Sequence, residues 1–243
     1  MASLLDRYKP AILSLPQSGE WTKRDLLTNA FRLASEDRLA MYYAPHNEWI
    51  NFDARVVIIG ITPGWTQMKI AVRTAQAGLM AGLPEEEILR CAKREARFAG
   101  SMRRHLISML DCLGLPKRLN IRSSRDLFGE HTQLLHTTSL LKYPVFVGER
   151  NYTGANPEIG ASPLLSGQAL SSMKELGQFP DAILIPLGKA VERVLIQMAE
   201  QGHIEQTRIL WGFPHPSGAN GHRQRQFEEN EKRMRSMIHR FFR

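Results

Sequence analysis

Two short stretches concentrate residue types that can do chemistry. The first is Pro214-His215-Pro216-Ser217-Gly218-Ala219-Asn220. Prolines fix the backbone on both sides of an imidazole, and a core histidine does not usually sit in so constrained a turn. His215 is therefore the leading candidate functional group, a side chain able to hold or release a proton near neutral pH. The second stretch is Gly60-Ile61-Thr62-Pro63-Gly64-Trp65. Gly60 and Gly64 permit backbone approach that a Cβ would block, and Pro63 stiffens the turn between them. A third run, 134–141, holds His136, Thr137, Thr138 and Ser139 among apolar residues. Such groups need partners when buried, and a ligand can supply them.

These residues need elements to position them. Val56-Val57-Ile58-Ile59 is β-branched throughout and reads as a strand buried on both faces. Residues 134–141, 181–187 and 207–213 read as three more strands. Each is followed by a loop or helix, which indicates one α/β domain with a parallel sheet. Ligands in such sheets bind just past the carboxyl ends of the strands, where both short stretches fall. Residues 3–16 and 23–40 read as an N-terminal helical extension packed on that domain, with Thr22 as a cap and Leu26, Ala30, Leu33 and Leu39 as a stripe. The 42–49 loop is expected to cover the sheet edge. One long helix is expected from Pro84 to Leu113, its first turn acidic at Glu85-Glu86-Glu87. Arg90, Arg94, Arg97 and Arg104 would share one face of it, a spacing able to grip phosphates. Residues 148–167 read as a long loop and 224–242 as a final helix. Gly188-Lys189 opens a helix but is no P-loop, because the spaced upstream glycine is missing.

Composition bounds the function. The chain has 243 residues, 43% hydrophobic, with a formal net charge of +8. A pI near 9.8 favours an anionic partner such as nucleic acid. No apolar run approaches the roughly 20 residues of a membrane helix, and the N-terminus lacks a signal-peptide pattern. Cys91 and Cys112 form no Cys-x-x-Cys pair, so no cluster or zinc site is expected and a cytoplasmic setting fits. No cofactor is expected.

Gly60-Ile61-Thr62-Pro63-Gly64 after a first strand and His215-Pro216-Ser217-Gly218 after a last strand resemble the two signature motifs of the uracil-DNA glycosylase superfamily. The 138–144 strand end (Thr-Ser-Leu-Leu-Lys-Tyr-Pro) and Leu187-Gly188-Lys189-Ala190 also resemble it, so the likeness spans about residues 52–240. It implies a three-layer α/β/α fold around a four-stranded parallel sheet. It also implies a monomeric enzyme that flips a nucleotide out of DNA and hydrolyses its N-glycosidic bond.

The resemblance places catalysis at His215 and Thr62, and the base pocket at Gly60, Ile61, Pro63, Gly64 and Ser139; Trp65, Phe98, Phe146 and Tyr152 are candidates to stack on a flipped base, Trp65 first because it abuts the motif. DNA contacts fall to Ser217, Gly218, Ala219, Asn220 and Arg223, with Arg94 and Arg97 added from the helix face. A neutral His215 would donate a hydrogen bond to the departing anionic base. Thr62 stands where relatives carry Asp or Asn to position water, and threonine is no general base near neutral pH. Either leaving-group stabilisation carries the rate or another residue acts on the water, with Glu149, Glu158 and Asp181 as candidates. Ser139 replaces an Asn that reads uracil. Gly64 leaves open a space that a Tyr fills in uracil-specific members, as in the mismatch-specific branch. A C5-substituted base, as in modified phage DNA, is thus one alternative, with the enzyme acting in defence. A catalytically silent DNA-binding module is another, and a hydrolase of free nucleosides or nucleotides a third.

Overall fold

The structure is a computed structural model describing residues 3–98 and 100–243, with the backbone alone at position 173. Helices α1 (Leu5–Leu13) and α2 (Lys23–Leu26) precede strands β1 (Arg32–Glu36) and β2 (Leu39–Tyr42). Strand β3 (Val56–Gly60) leads into α3 (Trp65–Met80), α4 (Glu85–Ala96), α5 (Gly100–Cys112) and α6 (Leu115–Leu119). Then come β4 (Leu135–Ser139), β5 (Val145–Val147), β6 (Arg150–Asn151), α7 (Pro163–Leu176), β7 (Ile183–Pro186), α8 (Lys189–Glu200) and α9 (Arg223–Phe241). The chain is mixed α/β. It forms two compact units, one of Met1–Ile50, Thr62–Arg97 and Leu141–Leu170, the other of Asn51–Ile61, Phe98–Leu140 and Ser171–Arg243.

The second unit holds a parallel sheet in the order β4-β3-β7. In register, Val56 to Gly60 pair with Leu135 to Ser139, and Val56 to Ile59 with Ile183 to Pro186. As the central strand, β3 has Val56 to Ile59 fully buried, which is why its apolar run is continuous rather than alternating. Leu106, Leu110, Phe213, Met234 and Ile238 pack in the core with Val56, Ile58 and Ile185. The sheet has three parallel strands where the sequence predicts four. Residues 206–208 form a 3₁₀ turn, and only Ile209 pairs onward, as a single parallel bridge to Leu184.

The first unit carries an antiparallel sheet, β1-β2-β5-β6. The expected helix over 23–40 stops after one turn. Asp25 Oδ2 accepts from Thr22 N (2.6 Å) and Thr22 Oγ1 (2.8 Å), closing the cap of α2. A β-hairpin follows, turning at Asp37 with φ +50°. Its second strand, β2, pairs with β5, about a hundred residues on in the chain, and burial against that distant partner outweighs a helical spacing. The 1–50 segment is therefore not a helical extension. Tyr8 stacks on Tyr43 at 4.1 Å in a core that also holds Trp21, Phe31, Val72 and Phe146.

The long helix expected over 84–113 is two helices. Pro84 caps α4 and Glu85 to Glu87 fill its first turn as the dipole favours. The chain turns extended at Arg97 (ψ 135°) and α5 restarts at Gly100 with φ +58°. One continuous arginine face does not form. Among the described residues no helix is long and apolar enough to cross a membrane.

Candidate functional site

His215 is held in the second unit by its own loop. Its Nδ1 lies 3.2 Å from the Ser217 amide. An amide can only donate, so Nδ1 accepts and the neutral ring carries its proton on Nε2. Burial lowers the pKa of this imidazole, which keeps it neutral at pH 7. Nε2 makes no hydrogen bond among the described residues. The result is an oriented N–H donor with its proton uncommitted.

The supports of the loop come from three elements. Gly188, at the start of α8, has φ +85°, and a Cβ there would lie 3.1 Å from His215 Cβ. Only glycine satisfies both the dihedral and the space. Its amide bonds Phe213 O at 3.0 Å. Asn220 Nδ2 donates to His215 O (3.2 Å) and Gln226 Oε1 (3.0 Å). Arg223 Nη1 donates to Ser217 O (2.9 Å). From α5, His105 Nδ1 donates to Pro216 O (2.9 Å), and its Nε2 accepts from Arg223 Nη2 (3.3 Å). Asn220 and Arg223 thus brace the loop from within, while Gly218 and Ala219 stay exposed at its tip.

At the carboxyl end of the same sheet, Gly60 pairs with Ser139, and Leu140 N donates to Gly60 O (2.9 Å). A Cβ at Gly60 would lie 3.6 Å from Ser139 Oγ. Gly60 and Ser139 therefore end neighbouring strands, and Ile61 follows β3 as a buried residue. His136 does not await a ligand. Its Nδ1 accepts from Asn51 N (3.4 Å), it stacks on Phe179 (4.9 Å between centroids), and Nε2 faces Glu175 Oε1 at 3.6 Å.

The first unit contains the continuation of the other motif, from Thr62 onward. Thr62 Oγ1 donates to Tyr143 O (2.9 Å) and accepts from Val145 N (3.0 Å). Its one proton is committed to stitching this turn to β5. The space beside Gly64 is not open: a Cβ there would meet the side-chain amide of Asn151 at 3.4 Å. Asn151 Oδ1 also accepts from Trp65 N (3.0 Å), and Gln67 Oε1 accepts from Gly64 N (3.2 Å). Pro63 is buried and Trp65 packs against the core of this unit. Tyr152 is buried, its hydroxyl donated to Pro157 O (2.6 Å). Arg97 is only 6% exposed, and Arg94 Nε pairs with Glu95 at 2.9 Å, so these two do not form a common surface. Glu149, Glu158 and Asp181 are all exposed.

The chain is 47% identical over 247 residues to the uncharacterized protein YoxB of Bacillus subtilis (strain 168), covering 98% of this chain and 93% of YoxB. The chain belongs to the YoxB family. No family model and no solved structure matches it.

Three features of this YoxB-family chain escaped the sequence reading. His105 reaches a carbonyl 111 positions away, and no local pattern marks it. Asn151 was visible only as part of a polar loop. His46, in the 42–49 loop, is 2% exposed, and its ring nitrogens have no hydrogen-bond partner among the described residues. Burial, with the Lys93 charge adding to it, pushes its pKa down to about 3. Beside it, Lys93 Nζ donates to Asn47 Oδ1 at 2.8 Å. No three His, Cys, Asp or Glu side chains gather as a metal site among the described residues.

Proposed function

We propose that this YoxB-family chain is a monofunctional DNA glycosylase of the uracil-DNA glycosylase superfamily. In this reading β4-β3-β7, with the Ile209 bridge in the fourth place, is the parallel sheet of that fold, and the chain acts as a monomer on DNA in the cytoplasm. The observation that carries it is the Nε2–H of His215, fixed in tautomer, neutral and unpartnered beside the carboxyl ends of the strands.

The chemistry follows from that donor. The bond between sugar C1′ and the base nitrogen breaks, its electron pair leaves with the base, and the sugar becomes cationic. A water oxygen then bonds to C1′, its proton passes to solvent, and the departed base takes up a proton from solvent, so the net reaction adds one water. Charge on the base is absent in the substrate and large in the transition state. A preorganised donor aimed at it accelerates the reaction, typically by about 10²–10³-fold for one such hydrogen bond. Thr62 cannot serve as base, and its proton is committed to Tyr143 O. Leaving-group stabilisation therefore carries most of the rate.

Release of bases would be followed by mass spectrometry with DNA bearing uracil, mismatched thymine, 5-hydroxymethylcytosine or its glucosylated form. One base released by the native protein and not by His215→Ala is the expected result. Release of a base modified at C5 would place the enzyme against phage DNA. The commitment of Thr62 favours a second reading, a silent DNA-binding module. Tight DNA binding with no base released from any substrate would select it.

A further inference from the structure

The sequence reading placed its basic surface on a helix face that does not form. The folded chain collects a different one, within the second unit. Arg103 and Arg104 lie near the start of α5, and the 125–129 segment places Arg125 and Phe128 in the same cleft. With Gly100 and Ile107 they line a cleft of about 320 Å³. The Arg103 guanidinium lies over the Phe128 ring at 5.1 Å, and its Nε donates to Phe98 O. Arg103 is thereby oriented. Arg104 and Arg125 are exposed and enter no ion pair among the described residues. No carboxylate lines the cleft. The acids nearest in the chain are engaged elsewhere: Glu130 by Arg122 at 3.3 Å, and Asp126 Oδ2 by the amides of Arg122 (3.2 Å) and Ser123 (3.4 Å).

Arg104 and Arg125 carry like charges, enter no ion pair among the described residues, and repel one another until an anion joins them. Their planar forks match phosphate oxygens two at a time. The apolar wall of Ile107 and Phe128 exceeds the needs of a free anion and suits the sugar or base that adjoins a phosphate. The location also matters. His105, next in the chain to Arg104, holds Pro216 of the His215 loop, so one helix carries both features.

We infer that the Arg103–Arg104–Arg125 cleft binds a phosphodiester of the nucleic-acid strand outside the nucleotide at His215, independently of sequence. The inference rests on the DNA reading above and adds a second contact to it.

Binding of the full chain to a fluorescein-labelled DNA duplex of about 20 base pairs would be read by anisotropy between about 50 and 200 mM salt. Arg104→Ala/Arg125→Ala is expected to raise Kd about tenfold or more and to flatten the slope of log K against log salt by about 1.8, or 0.9 per lost phosphate contact. Arg104→Lys/Arg125→Lys should retain most of the slope. Both pairs are exposed, so an unchanged Tm would confirm intact folding. Native binding with identical slopes in the Ala pair would overturn the cleft alone. Displacement of the duplex by inorganic phosphate at matched phosphate concentration would assign the cleft to a free anion and overturn it as well. Failure of the native chain to bind any duplex would instead bring down the DNA reading on which the cleft depends.

Discussion

The turn at 62–65 and the loop at 213–223 are built from the same materials, proline, glycine and a few short polar side chains, and they end in opposite states. In the first, every polar side chain closest to the turn is committed: Thr62 bridges Tyr143 and Val145, and the Asn151 amide covers Gly64 and receives the Trp65 amide. In the second, Ser217, Asn220, Arg223 and His105 are all consumed in bracing, and the Nε2–H of His215 is left over. The difference teaches that the bracing has an object in one case only. A turn whose polar atoms all satisfy one another is architecture. A turn whose supports converge to orient one unsatisfied donor is preorganised for a ligand.

Substitution tests the contrast directly. Gly188→Ala should be among the most damaging changes apart from His215 itself. It forces a Cβ to 3.1 Å from His215 Cβ at φ +85°. A displacement of that kind can cost up to about 100-fold in rate. Single-turnover base release with a Tm control would measure it, and a native rate would detach Gly188 from the site. His105→Ala removes the donor to Pro216 O and should lower the rate about tenfold, with His105→Asn restoring part of it. Equal loss in both variants would make His105 merely structural.

A second contrast sets His46 against His215, since burial lowers the pKa of both. A histidine kept neutral by folding binds its proton more readily when unfolded, so stability is full above the unfolded pKa and falls as pH drops below it. For His46 the window runs from about 6.5 down to about 3, with a slope of up to about 1.4 kcal/mol per pH unit. Urea unfolding at stepped pH should show that limb, and His46→Leu should flatten it. The smallest effect on rate is expected from Thr62→Val, which loses two hydrogen bonds. It should cost about 1–3 kcal/mol of stability and leave base release by the folded protein within a few fold. A loss as deep as that of His215→Ala would return Thr62 to the chemistry.

Much of the second unit was legible in the sequence, because its strands are local in character. Val56 to Ile59 could hardly be anything but a doubly buried strand, and α9 shows its stripe at Phe227, Met234 and Ile238. The run 207–213 read as a strand from its apolar residues; that only Ile209 pairs, as a bridge, goes with the 3₁₀ turn before it. The first unit was misread where pairing is remote. Leu33 and Leu39 satisfy a helical spacing as well as a hairpin, and β5 decides between them. Arginines at 90, 94, 97 and 104 shared a face only while the helix was continuous, and the extended backbone at Arg97 dispersed them. His215 could be singled out from its prolines, but not its tautomer, which depends on the Ser217 amide.

Nitrogen-15 NMR of the His215 ring reads the tautomer and charge of the donor itself. A neutral ring at pH 7 is expected, with the proton on Nε2, Nδ1 bare and a midpoint below 6.5. A proton on Nδ1, or a ring still charged at pH 7, would contradict a neutral Nε2–H donor at His215.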